Sequence, residues 1–451
     1  DALASTLGLG AGLGFTLGNF SYASPTTVKK CVVLDIGQKY TKAGFSQESG
    51  PRNVVETPPF PEQKHKQPLT VSQWKKYFTE FFNRIFYDVL QATPSSRRVL
   101  LLEDMFWTHN MKRAMVDSLL ELKVPGVLLI PALLQSMNVT PSTKHAILID
   151  VGFSETRVVA VSERTIVYES LRSSPVAGDA VLTRLRALLM DCGCMCNDQA
   201  LDRRTSTMVI NQLSKETLED IAIKYCLCPP PKRAGIQGPS YEDAEYPVNV
   251  KINGKKDHSL VWITVSPEAR AKATEVLFED ASLPGEGLSI PELFATCLLR
   301  CSIDTRAQVT GKIILSGGGV SFPGFENRLM AEINNICKTF EKLKPLSTRF
   351  HFVESKFPYL IRSWVGASIF CSAGIQQGKF LSLDHEDIDD LPDWTTMERV
   401  EVEEDDESED LSEDGFQLAM VPEGVEGESK MATLSPEEGM DEQAEAKDEK
   451  M

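Results

Sequence analysis

No run of apolar residues in this chain of 451 is long enough to span a bilayer, which excludes a membrane-spanning helix. The opening stretch, DALASTLGLGAGLGFTLGNFSYASP, lacks the positive start and bounded apolar core of a secretory signal. It reads as a flexible Gly-rich leader over 1–29, a fragment end or a processed end. Zinc spacing is missing too. The ten cysteines include CGCMC (Cys192, Cys194, Cys196) and the pair Cys226, Cys228, but these are C-x-C, not the C-x-x-C that closes on one tetrahedral ion. No histidine stands near them, so the expectation is no metal site and reduced thiols in the cytosol or nucleus.

Most of the chain also lacks a charge surplus. The net −17 lies in residues 401–451, which hold 20 acidic and 3 basic side chains; the other 400 carry 44 of each sign. A neutral body with an acidic end argues against a nucleic-acid-binding surface. Residues 396–451 are expected to be a disordered, solvated tail, in which Ser408 and Ser412 sit among acids as candidate phosphorylation sites.

What is present is an internal repeat. CVVLDIGQKYTKAGF (31–45) and AILIDVGFSETRVVA (146–160) align apolar run on apolar run. Asp35 then meets Asp150, Gly37 meets Gly152, Thr41 meets Thr156, and Lys42 meets Arg157. Each copy reads as strand, tight corner, strand. Two related domains would so offer an Asp-bearing corner to one cleft, where carboxylates and a magnesium ion can clamp a polyphosphate. A third element fits that cleft: KIILSGGGVSFPGFENRLMAEINNIC reads as a strand (Ile313–Leu315), a glycine corner (Gly317–Gly319) and a helix with Phe325, Leu329, Ile333 and Ile336 on one face.

These residues resemble the actin family over approximately 30–395. Asp35-x-Gly37, Lys42-Ala43-Gly44-Phe45 and Pro51-Arg52 are similar to its first phosphate loop and the segment after that loop; Asp150-x-Gly152 is similar to the second. RCSIDTRAQVTGKIILSGG (Arg300–Gly318) and SWVGASIF (Ser363–Phe370) resemble its C-terminal half. The resemblance implies an α/β, actin-like ATPase fold, two related domains around a nucleotide cleft. It implies a first domain over 30–145, a second over 146–362 with an insertion at about 179–275, and a C-terminal return to the first domain over 363–395. The implied nucleotide contacts are Asp35, Gly37, Lys42, Asp150, Gly152, Gly178, Lys224, Gly317, Gly318 and Phe322, for ATP or ADP with magnesium; the alternative is that these residues persist for packing and turn geometry and the cleft is empty.

The departures from the family pattern bear on activity. Gln38 and Lys39 replace the small hydroxyl residue and glycine that touch the terminal phosphate. Phe153 and Ser154 replace the corresponding pair in the second corner. The water-orienting Gln aligns with Pro131, Gln135 lies four positions on, and the catalytic His aligns with Arg157. Lys224 matches the adenosine-contacting Lys, but its usual Glu neighbour is Tyr225. No catalytic residue is therefore expected, and any nucleotide would be bound statically.

Only residues 53–73 separate two landmarks, Arg52 and the Trp74 that heads WKKYFTEFFNRIFYDVL, and they include Pro58, Pro59, Pro61 and Pro68. Actins build the pointed-end subdomain here, so that subdomain is expected to be strongly reduced. The combination resembles the actin-related subunit at the pointed end of the dynactin filament, and LPDW (Leu391–Trp394) fits that group. The partners so implied are actin-like filament subunits, the other pointed-end subunits of dynactin and, indirectly, dynein, in the cytoplasm and cytoskeleton, with no nucleic acid and no membrane insertion. Two alternatives are a nuclear actin-related subunit of a chromatin-remodelling complex and an active actin-fold ATPase.

Overall fold

The run Val32–Ile36 (β1) is apolar at every position but Asp35 because the strand is buried on both faces. It pairs antiparallel with Tyr40–Phe45 (β2), which pairs with Asn53–Glu56 (β3). On its other side β1 runs parallel to Val99–Glu103 (β4), which runs parallel to Val127–Pro131 (β5). The first sheet is thus five-stranded, in the order β3-β2-β1-β4-β5. The computed structural model describes residues 30–61, 68–192, 194–196, 199–231, 246–250, 261–279 and 287–372. The expected leader, the acidic tail with Ser408 and Ser412, LPDW, and the part of the C-terminal return beyond 372 lie outside the described residues.

One face of the first sheet is covered by Val71–Asn83 (α1) and His109–Glu121 (α2). The aromatic side chains of α1 recur at helical spacing, so Trp74, Phe78 and Phe82 stack in sequence into that core. A capping box at Thr70 and Gln73 starts the helix, and a π-helical turn, Arg84–Val89, extends it. A single helical turn, Ala132–Gln135 (α3), comes directly after β5.

The second sheet repeats the plan of the first. Ala146–Val151 (β6) forms a hairpin with Thr156–Ser162 (β7) and runs parallel to Lys312–Ser316 (β14). Around this unit lie Thr165–Ile166 (β8), Arg172–Ser174 (β9) and His351–Phe352 (β15). Between the hairpin and β14 come Gly178–Leu189 (α4), Arg203–Asn211 (α5) and Lys215–Tyr225 (α6). A four-stranded sheet belongs to the same stretch. Its spatial order is Gln199–Ala200 (β11), Cys194–Cys196 (β10), Val261–Val265 (β13) and Tyr246–Val250 (β12). Cys226 and Cys228 are buried in the core of this half, and burial pushes both thiols up to about 12. Ile290–Leu299 and Phe325–Thr339 pack together in the same core.

The chain then returns to the first sheet. Arg362–Ser372 lays Trp364, Val365 and Ala367 against Val33, Leu100 and Leu102, with Trp364 Nε1 donating to Val33 O at 3.0 Å. Residues from both halves form the junction: Met105, Leu133 and Met137 pack with Leu148, Val159 and Ile314.

Candidate functional site

The two hairpins turn by the same device. Gly37 N–H donates to Tyr40 O at 3.1 Å, and Gly152 N–H donates to Glu155 O at 2.9 Å. A Cβ on Gly37 would stand 2.8 Å from Tyr40 O, and one on Gly152 2.9 Å from Glu155 O, so no side chain fits either corner. Asp35 pairs with Lys42 across one ladder, Asp150 with Arg157 across the other. The matched threonines also serve alike. Thr41 bonds Thr57 at 2.8 Å, Thr156 donates to Val176 O at 2.7 Å, and both are fully buried.

In each sheet the Asp lies where its strand ends beside the C-terminal end of a parallel neighbour: Asp35 beside Leu102, Asp150 beside Ser316. Open α/β sheets bind ligands beyond such strand ends, and here the two ends face one cavity of about 420 Å³. Asp35, Gly37, Lys42, Asp150, Gly152, Gly178, Gly317, Gly318 and Phe322 all line it. Lys224 does not: it is exposed and paired with Asp220 at 3.4 Å. The face of α6 that reaches the wall is Glu219, Ala222 and Ile223, at the i, i+3, i+4 spacing of one helix side, and Lys224 is turned away from it.

Charges along the wall are arranged in pairs. Lys42 Nζ is 3.0 Å from Asp35. Asp150 accepts from Ser316 Oγ at 2.7 Å, and burial pushes its carboxyl up while Arg157 and Ser316 pull it back. Arg157 Nη2 reaches Asp104 at 2.6 Å and Glu155 at 2.9 Å. Burial opposes its charge, but Asp104, Glu155 and Asp150 more than offset that and hold the guanidinium above its ordinary range. Lys39 Nζ lies 3.1 Å from Glu219, whose same oxygen accepts from Tyr40 OH at 2.7 Å.

The positions that the resemblance ties to water activation carry other groups. Pro131 ends β5 and caps α3. Gln135 is buried and off the cavity wall; its Nε2 donates to Pro131 O at 3.1 Å and its Oε1 accepts from Asn138 at 2.9 Å. The Arg157 guanidinium is bound between two carboxylates. The sequence marks Lys39 and Arg157 as departures but not their partners Glu219 and Asp104. These lie 180 and 53 positions away, and charge complementarity is the only signal that links them.

The wall suits a magnesium nucleotide in its donor set. Asp35 and Asp150 are the carboxylates a magnesium ion needs and Lys42 a phosphate partner. Gly317, at φ +92°, brings the glycine corner against β6, where a Cβ would fall 2.2 Å from Val151 O. Such a group would supply charge bridging between the two corners.

Among known proteins, one family model takes in the second hairpin and the glycine corner and begins after the first hairpin. The family model described as Actin matches residues 63–225 and 262–383. Actin-related protein 10 of Dictyostelium discoideum is 26% identical over an alignment of 408 residues, covering 76% of this chain and 83% of its own length. Putative actin-29 of the same organism is 23% identical over 380 residues, covering 76% of this chain and 90% of its own. Two repeated hairpins facing one cleft, and a family match over more than half the chain, lead to one conclusion: the chain belongs to the actin family, as a divergent actin-related member with its two-lobed α/β fold.

Proposed function

We propose that this chain is a non-catalytic actin-related subunit that caps the pointed end of the dynactin filament and so supports dynein-driven transport of cargo along microtubules. The observation that carries the proposal is the short segment 53–73. Residues 53–56 are spent on β3. The chain then lies down on α1: Tyr77 OH donates to Pro58 O at 2.6 Å, and Phe60 meets Trp74 and Tyr77 edge-on with ring centroids 5.6 Å apart. Residues 62–67 lie outside the described residues, and so few leave no room for a pointed-end lobe. A head-to-tail filament grows only while each subunit offers complementary surfaces at both ends. A subunit without one of them ends the filament.

The cleft of this cap holds ATP or ADP with magnesium as a fixed part, gripped by Asp35, Lys42 and Asp150. Hydrolysis needs a positioned and activated water. Pro131 has no side-chain donor for one, Gln135 is turned into its own helix, and Arg157 is held by Asp104 and Glu155. Purifying the tagged protein from its own cells tests the assignment. Dynein–dynactin subunits in the eluate support it; chromatin-remodelling subunits with a nuclear signal would instead favour the reading that the acidic tail engages histones. Phosphate release from the pure protein at the rate of an active actin would refute the non-catalytic assignment.

A further inference from the structure

Each phosphate corner reaches across the cleft to an acid of the opposite half. Lys39, at the tip of the first corner, sets its Nζ 3.1 Å from Glu219 on α6, and Tyr40 donates to the same carboxylate at 2.7 Å. Arg157, which faces Asp150 across the second hairpin, reaches Asp104 just beyond β4 at 2.6 Å. The bridges are reciprocal. One joins a first-half cation to a second-half acid, and the other joins a second-half cation to a first-half acid.

Both bridges are withdrawn from water. The Lys39 side chain is 7% exposed and that of Arg157 is 16% exposed, so solvent screens them less than a surface pair. Aromatic rings back both cations. Lys39 Nζ lies 5.1 Å from the Phe153 ring centroid, and the Arg157 guanidinium lies 5.2 Å from that of Phe106. Phe106 N–H also donates to the second Asp104 oxygen at 2.9 Å, which fixes that carboxylate toward Arg157. The tip of the first corner, where a terminal phosphate would be sensed, is thus occupied by one cross-cleft contact, and Arg157, on β7 just past the second corner, makes the other.

We infer that Lys39 and Tyr40 with Glu219, and Arg157 with Asp104, form a latch that holds the two halves closed whether or not nucleotide is present. A rotation that carries α6 away from the first corner separates Lys39 and Tyr40 from Glu219 and leaves partly buried charges without partners, which is costly; Arg157 keeps Glu155 on its own hairpin. A ligand shifts a conformational equilibrium only through different affinity for its two states. With closure supplied internally, nucleotide adds stability without setting the shape. This inference rests on the reading of the cleft as a static nucleotide site.

Hydrogen exchange of the full chain tests it, comparing protein stripped with EDTA and apyrase against protein with Mg-ADP. In the wild type, exchange in the 36–41 corner and in α6 changes by less than about twofold on stripping. In Glu219→Gln, exchange of the stripped protein rises about tenfold, the equilibrium equivalent of one charge-assisted hydrogen bond, and Mg-ADP lowers it again. A tenfold rise in the stripped wild type, or a Glu219→Gln variant as protected as the wild type, overturns the latch. A charge exchange guards against simple misfolding: Lys39→Glu combined with Glu219→Lys restores protection that Lys39→Glu alone loses. Failure to restore it also overturns the inference. None of these outcomes depends on which proteins co-purify or on phosphate release, so the latch and the capping assignment fail separately.

Discussion

Gly317 and Gly318 are adjacent, both line the cavity and both read from sequence as one glycine corner, yet their tolerances differ. Gly317 has φ +92° and a virtual Cβ 2.2 Å from Val151 O, while the nearest neighbour of a Cβ on Gly318 is Leu360 Cδ1 at 3.6 Å. Gly317→Ala is expected to cost about 2–4 kcal/mol through backbone strain and displacement of β6. Gly318→Ala is expected to stay within about 0.5 kcal/mol. Thermal melts of the two variants check the contrast. Asp150 gives a pH prediction. Burial raises its folded value above the ordinary 3.8, so its contribution to stability is full below the unfolded value and is lost as pH rises through the folded one. In magnesium-free buffer at pH 7, Asp150→Asn should raise the melting temperature by about 2 °C, a gain that shrinks toward pH 4. At this scale the sequence exposes the Asp and Gly corners because a repeat marks them. It does not expose Glu219 or Asp104, which become site residues only through tertiary placement.

Elements are legible where periodicity and burial agree. VVLDI and AILIDV are apolar but for Asp35 and Asp150 because both strands are central, and the aromatic spacing from Trp74 onward announces α1. Helix rotation is harder to read. Alignment with the family puts Lys224 at the nucleotide, but the side of α6 that reaches the cavity is Glu219, Ala222 and Ile223, and one step along a helix turns a side chain about 100° away. The link before α1 carries a prediction of its own. Phe60 seals it by edge contacts with Trp74 and Tyr77, and Tyr77 OH holds Pro58 O. Tyr77→Phe removes that hydrogen bond at a cost of about 1 kcal/mol. Phe60→Ala also loses buried area and aromatic pairing, and costs about 2–3 kcal/mol. Both should speed proteolysis within 57–70, Phe60→Ala the more.

At the scale of the molecule, the frame of a two-hairpin cleft persists while the residues at its corners depart from the family pattern. Two hairpins, a glycine corner and a ligand-sized cavity remain; the corners carry Lys39 and Phe153, β7 carries Arg157, and each of the two cations makes one contact across the cleft. A filament subunit benefits from nucleotide-dependent closure only if it joins and leaves. A terminal subunit needs one fixed surface for its neighbour and none for a successor; in the proposed cap the short 53–73 segment and the inferred latch would answer those two needs. The most direct measurement is electron microscopy of the native assembly, with a label inserted in the 62–67 link of this chain. One labelled copy per filament is expected, at one end, with the label facing solvent. Labels spaced along the filament, or a label buried at a joint between two subunits, would contradict it.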